Sequence, residues 1–312
     1  MKTKESIEIK RKKITKWPKV AIIILNWNGW KDTIECLESL KKITYPNYEV
    51  IVIDNGSKGN DADILEEKYK DYIEVIKNKE NLGFAGGFNL GVNKLKLRND
   101  IDYFLLLNND TTVTPDFLNK LTEFIEANPE VGVASPLIFY YHQRNKVYSC
   151  GGKLNSFLFS CKFYKFSHKE PQKNLNFISG CAPLVRKSLV EKIGLFDENF
   201  FTYWEETDFC LRAKKTGFSI ACVPQSIIYH KVAQSNKYLS KRYIYYMVRN
   251  NLLLAKKHAK WYQWPFLLIN FFLRNWVGYF LKLIFTKSYS AIPSIFLGTK
   301  DFILGRYGRG SV

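Results

Sequence analysis

The sequence predicts an α/β domain on a mainly parallel sheet, followed by a helical, basic and aromatic C-terminal extension. Three observations carry that expectation. Apolar runs of strand length alternate with segments of helical periodicity from residue 20 to about residue 127. Three of these runs end in polar clusters, at residues 26–28, 54–57 and 108–110. Past residue 235 the chain turns rich in tyrosine and lysine and then strongly apolar. In an open parallel sheet, ligands gather at the carboxyl ends of the strands. The shared position of the three clusters therefore says more than any one of them.

The elements follow in order. Residues 20–25 are continuously apolar and read as a buried strand, broken by Asn26-Trp27-Asn28-Gly29. Residues 32–42 read as a helix with Ile34, Leu37 and Leu40 on one face, and 50–53 as the second strand. Residues 61–70 are expected to be helical, 73–77 a third strand and 103–107 a fourth. Between the last two, the glycine-rich segment 81–91 opens a helix. Thr114 at the N-cap and Pro115 in the first turn are expected to start a helix ending near 127. Residues 238–260 read as a basic, tyrosine-rich helix. Residues 261–286 are apolar but interrupted by Arg274 and Lys282, and the uncharged stretch 261–273 is too short to span a bilayer. An interfacial or re-entrant element is expected, with Trp261, Trp264 and Trp276 at headgroup level. The alternative is a helix packed on the domain or on a second subunit, which would make the chain a homo-oligomer. The expected division is a basic arm over 1–18, a catalytic domain over 19–235 and the extension over 236–312.

At 312 residues, 46% of them hydrophobic, the chain can bury one large core. Its six cysteines show neither CxxC pairs nor zinc-finger spacing, and no apolar leader precedes them. They read as reduced thiols in a cytosolic protein. The net charge of +18 is localised: residues 1–19 carry +6 and residues 236–312 carry +12, leaving the centre neutral. A nucleic-acid enzyme would place its basic residues around the binding groove. Basic, aromatic flanks suit an anionic membrane surface instead, so no nucleic-acid partner is expected.

Three segments carry chemistry. Residues 105–110 (LLLNND) deliver Asp110 to a sheet edge, where a divalent ion could bridge it to a diphosphate. A plain Asn-Asn-Asp turn is the alternative. Residues 81–91 (NLGFAGGFNLG) match neither GxGxxG nor GxxxxGK, which argues against a dinucleotide fold and a P-loop. Glycines at a helix start still let backbone N–H groups approach a phosphate or a sugar, or simply give a tight helix entry. Residues 204–208 (WEETD) gather Glu205, Glu206 and Asp208 among aromatics. Burial and like charge would raise a carboxyl pKa and suit it to take a proton from an acceptor hydroxyl. Acids also favour helix starts, and Asp208 with Arg212 is a possible i, i+4 ion pair. Among four histidines His230, which follows an apolar run, is the one placed to join Asp110 as a metal ligand. His142, His168 and His258 have no such placement.

Taken in order, eight segments resemble the family-2 glycosyltransferases with a GT-A fold, and within them the rhamnosyltransferase-like and galactofuranosyltransferase-like branch. The resemblance runs from about residue 18 to 255 over ILNWN (24–28), VIDNGS (52–57), NLGFA (81–85) with Asn89, LNND (107–110), ISGCA (178–182), residues 194–212, His230 and Arg249-Asn250. It implies inverting transfer from a UDP- or dTDP-sugar of rhamnose, galactofuranose or hexose type to a hydroxyl of a glycan or lipid-linked acceptor. Mg²⁺ or Mn²⁺ is the implied cofactor, and the cytoplasmic face of a membrane the implied location. By position, Asn26 and Asp54 would hold the nucleoside. Asn81, Gly83, Phe84 and Asn89, with Asn108 and Asn109, would line the donor site. Asp110 matches the last acid of the metal motif and His230 the further metal ligand. Ser179, Gly180 and Trp204 would border the sugar and acceptor. Glu206 falls where the family usually has an aspartate as base, and Glu205 is the other possibility. Asn108 and Asn109 replace acids common in the metal motif. A nucleotide-sugar-binding protein on the same fold, without transfer, is the competing reading.

Overall fold

The computed structural model describes residues 17–164, 170–232, 239–310 and 312. Apart from Trp17 and Pro18, the basic arm expected over 1–18 lies outside the described residues.

Strands β1 (Val20–Asn26), β2 (Tyr48–Asp54), β3 (Ile73–Lys77) and β4 (Tyr103–Asn108) are parallel and ordered β3-β2-β1-β4. Helices α1 (Trp30–Leu40), α2 (Asp61–Tyr69) and α3 (Gly83–Leu95) connect them. The sheet continues through β5 (Thr111–Val113), β6 (Val131–Tyr140), β7 (Val147–Ser149), β10 (Leu184–Arg186) and β11 (Ser219–His230). β10 runs antiparallel between β4 and β6, whereas β11 runs parallel to β6. A hairpin of β8 (Gly152–Asn155) and β9 (Ser160–Phe163) stands apart. α4 (Phe117–Ala127), α5 (Lys187–Ile193) and α6 (Glu205–Lys215) complete the domain.

Successive side chains of a strand point to opposite faces, so the uninterrupted apolar run of β1 requires cover on both. Val20, Ile22 and Ile24 join Leu37, Leu40, Leu65 and Leu118 on one face. Ala21 and Ile23 join Ala85, Phe88, Leu189 and Phe209 on the other. The glycines of α3 permit a close approach to that second face: a Cβ on Gly91 would stand 2.8 Å from Ile23 Cγ2.

Two expectations are corrected. Thr114 does not cap α4. The helix starts at Phe117 behind Asp116, and the Thr114 hydroxyl instead donates to Ile227 O at 3.0 Å, pinning the turn to β11. The cysteines are not all free: Cys150, leaving β7, meets Cys222 of β11 in a disulfide with Cα atoms 5.6 Å apart, while Cys36, Cys161, Cys181 and Cys210 remain thiols. Trp261–Phe285 is one helical run, long and apolar enough to cross a membrane by length and composition, with Arg274 inside a π-helical stretch (Phe272–Gly278).

That run comprises a short turn, α8 (Trp264–Phe271), the π-helical stretch and α9 (Tyr279–Phe285). It packs beside α7 (Lys241–His258) and α10 (Pro293–Ile303) through Phe271 and Leu283. α7 begins behind a Ser240 N-cap whose hydroxyl accepts from Tyr243 N.

Gly91→Ala should push α3 from the sheet and cost roughly 1–3 kcal/mol. Urea unfolding would show a lower midpoint at unchanged slope; an unchanged midpoint would mean the helix has room to spare.

Candidate active site

β5 pairs antiparallel with β11, setting His230 opposite Thr111, one residue beyond Asp110. Lys231 N donates to Asp110 O at 3.0 Å and closes that register. As a result His230 Nε2 lies 3.0 Å from Asp110 Oδ1. Tyr148 packs edge-on against the imidazole with ring centroids 5.3 Å apart. Lys231 fastens this end of β11 to α1 through Asp32 (2.5 Å) and Glu35 (2.6 Å). Burial opposes a charge on His230, but Cys181 and Asp110 outweigh it and hold its pKa well above the ordinary imidazole value.

The donor set fits a hard divalent ion. In an octahedral shell with bonds of about 2.1 Å, adjacent ligand atoms lie about 3.0 Å apart, as Asp110 and His230 do. Among the described residues no third His, Cys, Asp or Glu completes the set. Such a site leaves most of its coordination to water and phosphate.

At the end of β1, Asn26 is fully buried. Its amide donates to Asp54 (2.8 Å) and Asp61 (3.2 Å), and its oxygen accepts from Thr33 (2.7 Å). Asn26 is thus engaged within the protein and sets Asp54, which also accepts from Ser57 Oγ at 2.6 Å. Asp61, unremarked in the sequence, accepts from Gly29 N and Trp30 N and so caps α1. Asn109 likewise faces inward, donating to Thr33 Oγ1 at 3.0 Å and Gly29 O at 3.2 Å. Asn108 keeps its backbone in the sheet edge, where its N–H donates to Cys181 O at 2.9 Å.

Gly83 has φ +77°, and a side chain there would strike Phe201 O. Asn81 accepts from Gly83 N at 2.7 Å, and Asn55 donates to Gly83 O at 2.9 Å, so these two amides shape the turn. Asn89 is a staple, not a donor contact: it donates to Phe196 O and accepts from Phe196 N. Phe84 faces the Ser179-Gly180 turn, where a Cβ on Gly180 would lie 3.2 Å from its ring and 3.8 Å from Glu206 Cβ. The expected donor and acceptor borders thus meet at Gly180 beside Glu206.

Phe201, Tyr203 and Trp204 all have positive φ (63°, 66° and 77°). Such backbone persists only where its surroundings over-determine it. Here α7 does so. Asn250 donates to Phe200 O (2.7 Å), Thr202 O (2.8 Å) and Tyr203 O (3.0 Å). The wholly buried Arg249 donates to Asn199 O (3.1 Å), Phe200 O (3.2 Å) and Gly308 O (2.8 Å). Phe201 O in turn accepts from Ala85 N at the start of α3. Arg249-Asn250 was visible as a motif without a role; this is its role. Trp204 is buried among Phe159, Phe200 and Leu253 and forms a wall rather than an open platform for a sugar.

The loop delivers Glu205 and Glu206 as the first residues of α6. Glu205 is buried with Oε2 unpaired. Burial and the neighbouring charge of Glu206 raise its pKa well above the carboxylate range, and burial pushes Glu206 up to about 7. Asp208 behaves oppositely. Burial works against its charge, but His258 (2.8 Å), Arg212 (2.7 Å) and Lys257 (2.9 Å) hold its pKa well below the usual value. Asp208 ties α6 to α7, which also gives His258 a structural place that its sequence context did not suggest. Arg242, another residue missed in the sequence, lies over Trp27 at 5.1 Å and Phe201 at 5.5 Å.

A mainly parallel sheet with an acid–imidazole pair beyond β4 and a high-pKa glutamate across a glycine turn defines the class: a glycosyltransferase of GT-A fold. The chain belongs to glycosyl transferase family 2, whose model matches residues 21–194. It is 24% identical over 251 residues to the N-acetylglucosaminyl-diphospho-decaprenol L-rhamnosyltransferase of Mycobacterium tuberculosis, covering 73% of this chain and 81% of that one. It is 24% identical over 245 residues to the dTDP-rhamnosyl transferase RfbF of Shigella flexneri, covering 76% and 79%. Its fold matches GalNAc-T7, solved with UDP, GalNAc and Mn²⁺, at a TM-score of 0.64 and 15% identity; 78% of this chain aligns, spanning about half (48%) of that one.

Asn250→Ala would leave the Thr202 and Tyr203 carbonyls without their side-chain partner, while Phe200 O keeps Arg249, and should cost about 2–4 kcal/mol. A urea midpoint close to wild type would show that the loop keeps its shape without α7.

Proposed function

We propose that this glycosyltransferase works by metal-dependent, inverting single displacement, moving a rhamnosyl, galactofuranosyl or other hexosyl group from a dTDP- or UDP-sugar to a hydroxyl of a glycan or lipid-linked acceptor. The observation that carries this reading is the placement of Glu206, whose pKa burial raises to about 7, beside Gly180 and Phe84. Tyr148, packed on His230, feels the charges of both Glu206 and Asp110, which supports reading the base and the metal pair as parts of one site.

Glu206 takes the acceptor's hydroxyl proton as that oxygen bonds to the anomeric carbon and the bond to the nucleoside diphosphate breaks. Asp110 and His230 would hold Mg²⁺ or Mn²⁺, which when bound supplies positive charge to the departing diphosphate. Asp54 and Asn81 orient the nucleoside end, and Arg242 on Trp27 adds a cation at that edge. The rhamnosyl relatives favour a dTDP-rhamnose donor, and the decaprenol-linked substrate in one relative's name favours a lipid-linked acceptor.

The extension supports work at the cytoplasmic face of a membrane. Phe266, Ile269, Phe272 and Leu273 are exposed on the helical run, while its opposite side rests on α7. An exposed apolar side rich in Phe, with basic residues nearby, suits a helix lying in the interface plane.

General bases contribute about 10²–10⁴-fold. Glu206→Gln should therefore lower kcat by at least about 100-fold while nucleotide affinity stays within a few-fold. A pure sugar-nucleotide binder would show no transfer from wild type either, and a Glu206→Gln enzyme near wild-type rate would remove Glu206 as base. Because the working form is the carboxylate and its pKa is raised, wild-type kcat/KM should fall as pH drops below about 7 and level off above it. A flat profile from pH 5.5 to 8 would contradict that assignment.

A further inference from the structure

The β8–β9 hairpin carries an apolar tip with several of its backbone groups paired to side chains. Phe157 and Leu158 at the turn are exposed, by 51% and 37%. Their N–H groups both donate to Asn155 Oδ1 at 3.0 Å. Ser156 O accepts from Gln263 (3.0 Å), Leu158 O from Asn270 (2.7 Å) and Phe159 O from Asn251 (2.9 Å). An exposed loop in water has no need of this many internal partners, since solvent would serve. In a water-poor layer each unpaired group is costly, and internal pairing becomes a requirement.

Two further features indicate what that layer is. Asn270, which grips the tip, lies on the same helical stripe as Phe266 and Leu273 at i−4 and i+3, both exposed. The tip therefore adjoins the apolar side of the helical run. On the hairpin itself Lys153 and Lys162 are directly paired across the strands, both exposed, and no acid lies between residues 152 and 163. Like charges directly opposite are unfavourable in isolation, and an anionic surface reverses that.

We propose that the tip of the β8–β9 hairpin is a second membrane-contacting element. Phe157 and Leu158 enter the headgroup layer of an anionic phospholipid bilayer, Lys153 and Lys162 face its phosphates, and α8 inserts alongside. Two points of attachment, one on the catalytic domain and one on the extension, fix the tilt of the active site over the bilayer. This rests on the membrane reading above and extends it to the catalytic domain.

Co-sedimentation of the full chain with phosphatidylglycerol–phosphatidylethanolamine vesicles tests it, with three variants alongside wild type. Phe157→Ser/Leu158→Ser should weaken partitioning roughly tenfold or more. Lys153→Glu/Lys162→Glu should weaken it on these vesicles but not on neutral phosphatidylcholine ones, and serves if the apolar variant fails to fold. Phe266→Ser/Ile269→Ser probes α8 alone. If the two hairpin variants bind like wild type while the α8 variant does not, the hairpin contact is overturned and the peripheral reading stands. If wild type itself fails to bind, both are overturned.

Discussion

The active site depends on hydrogen bonds from Asn250 and Arg249 to a run of backbone carbonyls. Three left-handed, non-glycine residues within four positions would each cost about 1–3 kcal/mol. They persist because Phe200, Thr202 and Tyr203 surrender their carbonyl oxygens to side chains buried in α7. What that strain secures is direction. The chain reverses at Phe201, which closes over Gly83, and re-enters a helix with Glu205 and Glu206 at its first turn. The C-terminal extension therefore helps to shape the candidate site, since α7 holds the loop that leads into Glu205 and Glu206. Tyr245, on the same helix, donates to Asp301 of α10 at 2.5 Å, so the remaining helices brace the grip.

A second constraint is the register of β5 on β11. It brings together Asp110 and His230 from distant parts of the chain, at a spacing that two ligands of a divalent ion would have. The electrostatics around them are divided. Asp208 is saturated by cations and stays charged, whereas Glu205 and Glu206 lack any such partner and have raised pKa values. Adjacent acids on one helical turn thus serve different ends: one as an anchor, the others as proton-binding groups near the site.

Much of this was legible in the sequence. Continuous apolar runs gave β1, β2 and β4 because buried parallel strands need cover on both faces, and the polar clusters lie at the carboxyl ends of these strands. Asp110 and His230 could be nominated from type and position, but their contact depends on a strand register that spacing does not reveal. Asn26, Asn89 and Asn109 were expected at the ligand; their amides bond to backbone and side chains of neighbouring elements, partners that polar type alone does not disclose, while Trp204 is drawn into an apolar cluster. The disulfide was invisible because Cys150 and Cys222 are separated by 72 residues and meet only through β7 and β11. Asp61, Arg242 and His258 carried no sequence signal, since each acts through neighbours supplied by other elements.

The most direct test is calorimetric titration of the pure protein with dTDP and UDP, with Mn²⁺ and with EDTA, repeated on Asp110→Ala. If the diphosphate completes a shell begun by Asp110 and His230, metal and nucleotide must strengthen each other's binding by the same factor. Mn²⁺ should then tighten nucleotide binding about tenfold or more, and Asp110→Ala should abolish that coupling. Equal nucleotide affinity in Mn²⁺ and EDTA, from folded wild-type protein, would contradict the metal site and the mechanism built on it.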